Sequence, residues 1–180
     1  MATYLALLRG INVGGHKMVA MADLRALAAR VGAEDAQTIL QSGNLVFRAP
    51  KKAAAHWERV LEAETAQRLA LETQYFVRTA EEWRDVIARN PYPKEAERDP
   101  GRLIVLFMKD APTPVDVSAL RAAIKGRETI TADGRHAYII YPDGMGTSKL
   151  TLTVLESKLR TRGTARNWNT VLRLGALTAP

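Results

Sequence analysis

The sequence predicts an α+β chain of two ferredoxin-like (split βαβ) subdomains packed together, with C-terminal helices. Three observations carry that expectation. The first eighty residues read in the order β-α-β-β-α-β, a proline- and charge-rich stretch breaks the pattern at 91–101, and a β-α-β-β order restarts at Leu103. The boundaries that follow are 1–79 for the first subdomain, 80–101 for a helix and linker, and 102–180 for the second subdomain with a basic C-terminal helix. At 180 residues no disulfide or metal is needed, since a chain of this size buries roughly 70% of its unfolded surface.

Thr3 to Arg9 is apolar on both alternating sets, as expected of a strand covered on both faces. Leu24, Leu27, Ala28 and Val31 then recur at helical spacing, and Gly32 stands where a left-handed cap belongs. Thr38-Ile39-Leu40 and Leu45-Val46-Phe47 flank the polar tip Gln41-Ser42-Gly43-Asn44, a hairpin pattern. Trp57, Val60, Leu61 and Leu69 mark a second helix over Lys51 to about Leu69, and Gln74 to Val77 reads as the next strand. Thr79 and Glu82 have the spacing of a capping box, opening a helix that carries Trp83, Val86 and Ile87 and stops at Asn90-Pro91.

Pro91 to Gly101 is the linker expectation, for it combines prolines and charges without apolar period. Leu103 to Met108 is an unbroken apolar strand. Val117, Leu120 and Ile124 mark a helix ended by Gly126, and Asp133-Gly134 joins two further strands as a hairpin turn. Leu150 to Leu155 alternates like a strand, while Leu152, Leu155 and Leu159 also fit a helix. Thr164 to Leu174 reads as an amphipathic helix with Trp168, Val171, Leu172 and Gly175 on one face and Arg166, Asn169, Thr170 and Arg173 on the other.

The chain has no cysteine, which excludes disulfides, thiolate metal sites and cysteine nucleophiles and suits a reducing cytoplasm. Its N-terminus has no basic leader, and its apolar run is far shorter than the ~20 residues of a membrane span, so no membrane partner is expected. The net charge of +7 admits nucleic acid, acidic surfaces or phosphate-bearing ligands as partners. That charge is localised: residues 151–180 hold five bases and one acid, whereas residues 51–100 hold nine bases and ten acids.

The loop Arg9-Gly10-Ile11-Asn12-Val13-Gly14-Gly15-His16-Lys17 follows a strand and precedes a helix, where glycines let backbone N–H groups approach an anion. The same glycines also serve a plain crossover turn. A phosphate loop is nearly spelled by Gly10 and Gly15, but His16 intrudes before Lys17 and Met18 replaces the hydroxyl that holds magnesium, which disfavours a nucleotide triphosphatase. The histidines, His16, His56 and His136, are scattered, so neither a metal nor another cofactor is expected. Ser148-Lys149 are neighbours pointing apart in an extended chain, a weak basis for a catalytic pair. The β-α-β-β-α-β order is also that of an RNA-recognition module, yet the third strand, Gly43 to Arg48, lacks the required aromatic pattern.

Tyr4 to Gly15, Met21-Ala22-Asp23-Leu24, Gln41 to Phe47 and Thr164 to Val171, taken together in this order, resemble the bacterial domain-of-unknown-function family DUF1697 over nearly the whole chain. The resemblance implies two ferredoxin-like subdomains and a helix for Leu150 to Leu159, and it implies no established activity. Ala165 stands where the family commonly has a second threonine, which places a hydroxyl contact there in question.

Three polar segments distant in sequence define the candidate binding residues: Arg9, Gly10, Asn12, Gly14, Gly15 and Lys17; Gln41, Ser42 and Asn44; and Arg166, Asn167, Asn169 and Arg173, with Trp168 as packing anchor. The leading expectation is an anion-binding module for a nucleic-acid backbone or a phosphate-bearing metabolite. The alternatives are an enzyme on a small phosphorylated or carboxylated substrate, for which no general base is nominated, and a protein interaction module. Oligomeric state is not readable from these residues.

Overall fold

The computed structural model describes residues 1–10, 19–40 and 43–179. The chain forms two compact units, Met1–Asp85 with Leu174–Pro180, and Val86–Arg173. Each holds one four-stranded antiparallel sheet packed with helices, in the strand order of a ferredoxin-like fold.

In the first unit β1 (Ala2–Leu8), α1 (Met21–Arg30), β2 (Glu34–Ile39), β3 (Asn44–Ala49), α2 (Ala54–Leu69) and β4 (Tyr75–Thr79) give a sheet ordered β2-β3-β1-β4. Both alternating sets of β1 are buried from Tyr4 to Leu8, as its continuous apolar run requires. One set, with Leu45, Phe47, Tyr75 and Val77, forms a core with Leu24, Leu27 and Ala28 of α1 and Trp57 and Leu61 of α2. Tyr4, Phe47 and Trp57 meet at ring-centre distances of 5.6–5.8 Å. With these aromatics and Tyr75 and Phe76 buried, the sheet offers bases no stacking platform from them.

The ends of α1 and β2 have local causes. Ala33 N–H donates to Ala28 O and Gly32 N–H to Ala29 O, with Gly32 at φ +91°, the double bond of a Schellman cap. The β2–β3 register shifts between Glu34 and Gln37, where Asp35 takes φ +52° and its carboxylate lies 3.2 Å from Arg48 Nη1. At the tip, Leu40 and Gly43 have positive φ; Gln41 and Ser42 lie outside the described residues.

The capping box is present in full: Thr79 N–H donates to Glu82 Oε2 at 2.8 Å and Glu82 N–H to Thr79 Oγ1 at 3.1 Å, opening α3 (Ala80–Ala88). The stretch expected as a plain linker holds a short helix, α4 (Pro93–Arg98), begun by Pro93 at its first position, and a 3₁₀ turn at Pro100–Arg102.

In the second unit β5 (Leu103–Met108), α5 (Pro114–Ala123), β6 (Thr129–Asp133), β7 (His136–Ile140), α6 (Leu152–Leu159) and β8 (Gly163–Asn167) repeat the arrangement, ordered β6-β7-β5-β8. Leu150 to Leu155 is therefore not a strand: Thr151 Oγ1 accepts from Val154 N–H and caps α6. The hairpin turn sits one residue later than expected. Asp133 pairs with His136, and only Gly134 of the two loop residues has positive φ, the requirement of a II′ rather than an Asp-Gly I′ turn.

The largest correction concerns Thr164 to Asn167, which is strand β8 rather than helix; α7 spans Trp168–Ala176. The helical spacing of Arg166, Asn169, Thr170 and Arg173 is coincidental, because pairing along β5 outweighs local periodicity. The buried residues of α7 are Trp168, Thr170, Val171 and Leu174, while Leu172, expected inside, is 44% exposed.

Candidate functional site

Arg9 follows β1 directly and is half-buried, its N–H donating to Gln74 O and its carbonyl accepting from Thr73 Oγ1, each at 3.1 Å. Gly10 is exposed at φ +66°, a conformation that glycine adopts without strain. Asn12, Gly14, Gly15, Lys17, Gln41 and Ser42 lie outside the described residues. Asn44 is wholly buried, and its Nδ2 donates to Ile39 O at 2.9 Å, closing the base of the hairpin. Its amide thus has a structural duty.

The other candidates fall in the second unit. Arg166 opposes Val105 across β5 and is buried; its Nη1 donates to Thr164 Oγ1 and Ala165 O, both at 2.9 Å. Burial pushes its guanidinium down to about 10, so the group remains a cation at neutral pH. Asn167 Oδ1 accepts from Thr170 N–H at 3.0 Å, the N-cap of α7. Trp168 is 5% exposed, whereas Asn169 and Arg173 face solvent. Arg9 and Asn44 thus belong to one unit and Arg166 to Arg173 to the other.

The two sheets place an arginine at the same spot. Leu8 pairs with Tyr75 and Met108 with Gly163, so three residues inward Leu5 opposes Arg78 as Val105 opposes Arg166. A helix cap follows each arginine, Thr79 after Arg78 and Asn167 after Arg166. Arg78 lies 4.0 Å from Glu58, and both are buried. This correspondence is a matter of register and is invisible to residue identity, because only the arginines match.

Sequence reasoning also missed a cavity of about 340 Å³ in the second unit, lined by Lys125, Lys149 and Lys158, by Ile124, Leu150 and Val154, and by Glu128. Glu128 Oε1 lies 2.5 Å from Ser148 Oγ, which in turn accepts the Leu150 N–H at 3.0 Å. Ser148 is thereby engaged by a carboxylate, not by the adjacent lysine. The charged lining comes from three separated segments, and no linear motif could have revealed it. Among the described residues no group of three or more His, Asp or Glu side chains is placed to hold a metal ion.

Residues 1–138 match the sequence profile of the family described as "Protein of unknown function (DUF1697)". The conserved bacterial protein SP0830 from Streptococcus pneumoniae is similar in structure, with a TM-score of 0.73 at 22% sequence identity over 99% of each chain. That likeness extends the common fold to both units. No curated protein matches the sequence.

Proposed function

From the premise that the chain belongs to the DUF1697 family, a family of unknown function, we propose that the protein is an anion-binding module whose second unit meets the anion. The partner is a nucleic-acid backbone or a phosphate-bearing metabolite. The observation that carries this reading is the division of charge. The second unit, Val86–Arg173, holds fifteen basic and nine acidic residues, a net +6, whereas the remaining residues hold eleven and ten, a net +1.

Exposure supports the same reading. Lys125, Lys149, Lys158, Arg160 and Arg173 face solvent with no ion-pair partner among the described residues. Cations left unpaired at one unit attract a polyanion through counterion release, and the attraction weakens as salt rises. No helix among the described residues is long and apolar enough to cross a membrane, and a cysteine-free chain suits work in the cytoplasm.

Filter binding to single-stranded and duplex DNA and RNA at two salt concentrations, alongside calorimetric titration with phosphate-bearing metabolites, tests the proposal. A complex that weakens with salt is expected, and Arg160→Gln with Arg173→Gln should lower the salt slope by about one for each phosphate that the replaced arginine neutralises. Absence of any salt-dependent complex with either ligand class overturns it.

A further inference from the structure

We infer that the cavity lined by Lys125, Lys149 and Lys158 binds a small phosphomonoester, a deduction that rests on the anion-binding reading and names the ligand for one part of it. The cavity, about 340 Å³, falls within the size of small-molecule sites. Its construction is amphipathic: Ile124, Leu150 and Val154 supply apolar wall, and the three lysine stems reach the rim from the end of α5, from the segment before α6 and from α6 itself. Val154 and Lys158 are four residues apart on α6 and share a face, so apolar wall and ammonium belong to one surface.

The charges decide the class of anion. Three lysines against one glutamate leave +2, and none of the lysines has a hydrogen-bond or ion-pair partner among the described residues. A backbone phosphodiester carries one negative charge per phosphate, whereas a phosphomonoester carries about −1.5 to −2 at pH 7 and offers three acceptor oxygens. The dianion matches the cavity better. Lysine suits this duty as a mobile point charge that does not demand the planar geometry of arginine.

Glu128 adds a fixed acceptor. Its carboxylate is held by Ser148, and a Cβ at position 126 would crowd its Oε2, so Gly126 leaves the room in which that carboxylate sits. Glu128 can therefore accept from a hydroxyl or amine on the body of the ligand while the lysines hold its phosphate. A phosphorylated small molecule with donor groups and an apolar part uses every lining chemistry.

Isothermal titration calorimetry of the full chain with adenosine 5′-monophosphate, phenyl phosphate and 3′,5′-cyclic adenosine monophosphate tests the inference. Both monoesters are expected to bind, and the cyclic diester, with one charge fewer, at least about tenfold more weakly. Lys125→Gln, Lys149→Gln and Lys158→Gln, all at exposed positions, should each weaken the monoesters about tenfold while leaving the melting temperature unchanged. Equal binding of monoester and diester overturns the ligand class, and monoester binding indifferent to all three substitutions overturns the location. If neither monoester binds while nucleic acid still binds in a salt-dependent manner, this inference falls and the broader reading stands.

Discussion

The two units share a strand order and a register, yet they treat the same buried arginine differently. In the first, Arg78 lies 4.0 Å from the buried carboxylate of Glu58, whose Oε1 also accepts the Val77 N–H at 3.0 Å. In the second, Arg166 donates to a threonine hydroxyl and a backbone carbonyl on its own strand. The preceding helices explain the difference. Glu62 of α2 accepts the Tyr75 N–H and Glu156 of α6 accepts the Gly163 N–H, so these glutamates correspond, and four residues before them stand Glu58 and Leu152 respectively. The same frame sets a carboxylate beside the first arginine and a threonine hydroxyl beside the second, so the neighbour of the buried cation is a local choice that topology leaves open.

The sharpest way to break that comparison is to neutralise each arrangement. Glu58→Gln removes the charge beside Arg78 from a buried setting and should cost about 3 kcal/mol in urea unfolding. Thr164→Val takes one neutral acceptor from Arg166 and should cost about 2 kcal/mol or less. A reversed order would show that the carboxylate is not what sustains the first arginine.

Tyr75 and Gly163 occupy equivalent positions and differ as much as two residues can. A Cβ at 163 would meet Leu106 Cδ1 at 2.8 Å and Phe107 O at 3.1 Å, so Gly163→Ala should destabilise by about 2 kcal/mol through overpacking. The first unit instead buries a full tyrosine there, its hydroxyl 2.7 Å from Thr65 Oγ1.

That tyrosine gives a comparison in pH. Burial pushes Tyr75 up to about 12 from an ordinary 10.0, so the unfolded chain loses this proton first and stability falls as pH rises through that window. Burial also raises Tyr138 and Tyr141. Arg166 works in the opposite sense: its folded value of about 10 lies below its ordinary value, so stability recovers with pH above about 10. Among these four groups the three tyrosines outweigh the arginine, which predicts a net alkaline loss. Denaturation at about pH 9 and about pH 11 should show Tyr75→Phe losing less than the parent chain.

The smallest expected effect is at the two caps. Thr79→Ala and Asn167→Ala should each cost about 1 kcal/mol by thermal melting, with Thr79→Ala the larger because its box joins two bonds where Asn167 has one side-chain acceptor on Thr170.

Much of the fold was legible because its signals are local. The apolar runs of β1 and β5, Gly32 after α1 and the Thr79–Glu82 spacing each point to an element that the structure contains. β8 escaped because Gly163 to Asn167 is short and polar, and its strand character comes from its pairing with β5. The site was less legible for a related reason. Asparagine, threonine and arginine near element ends serve ligands and caps alike, and Asn44 and Asn167 proved to close a hairpin and cap a helix. The lysine cavity draws on residues 125 to 158 brought together by the packing of α5 with α6, a distance in sequence across which spacing carries no information.

The bulge in β2 has a consequence for the protein in a crowded solution. β2 is the outermost strand of its sheet, and an edge strand offers its open backbone groups to any extended chain that drifts past. Here the register slips between Glu34 and Gln37, Asp35 turns to positive φ, and two acids stand side by side. A passing strand would find neither a straight ladder nor an uncharged one, so the border of the first sheet is guarded against recruitment into aggregates.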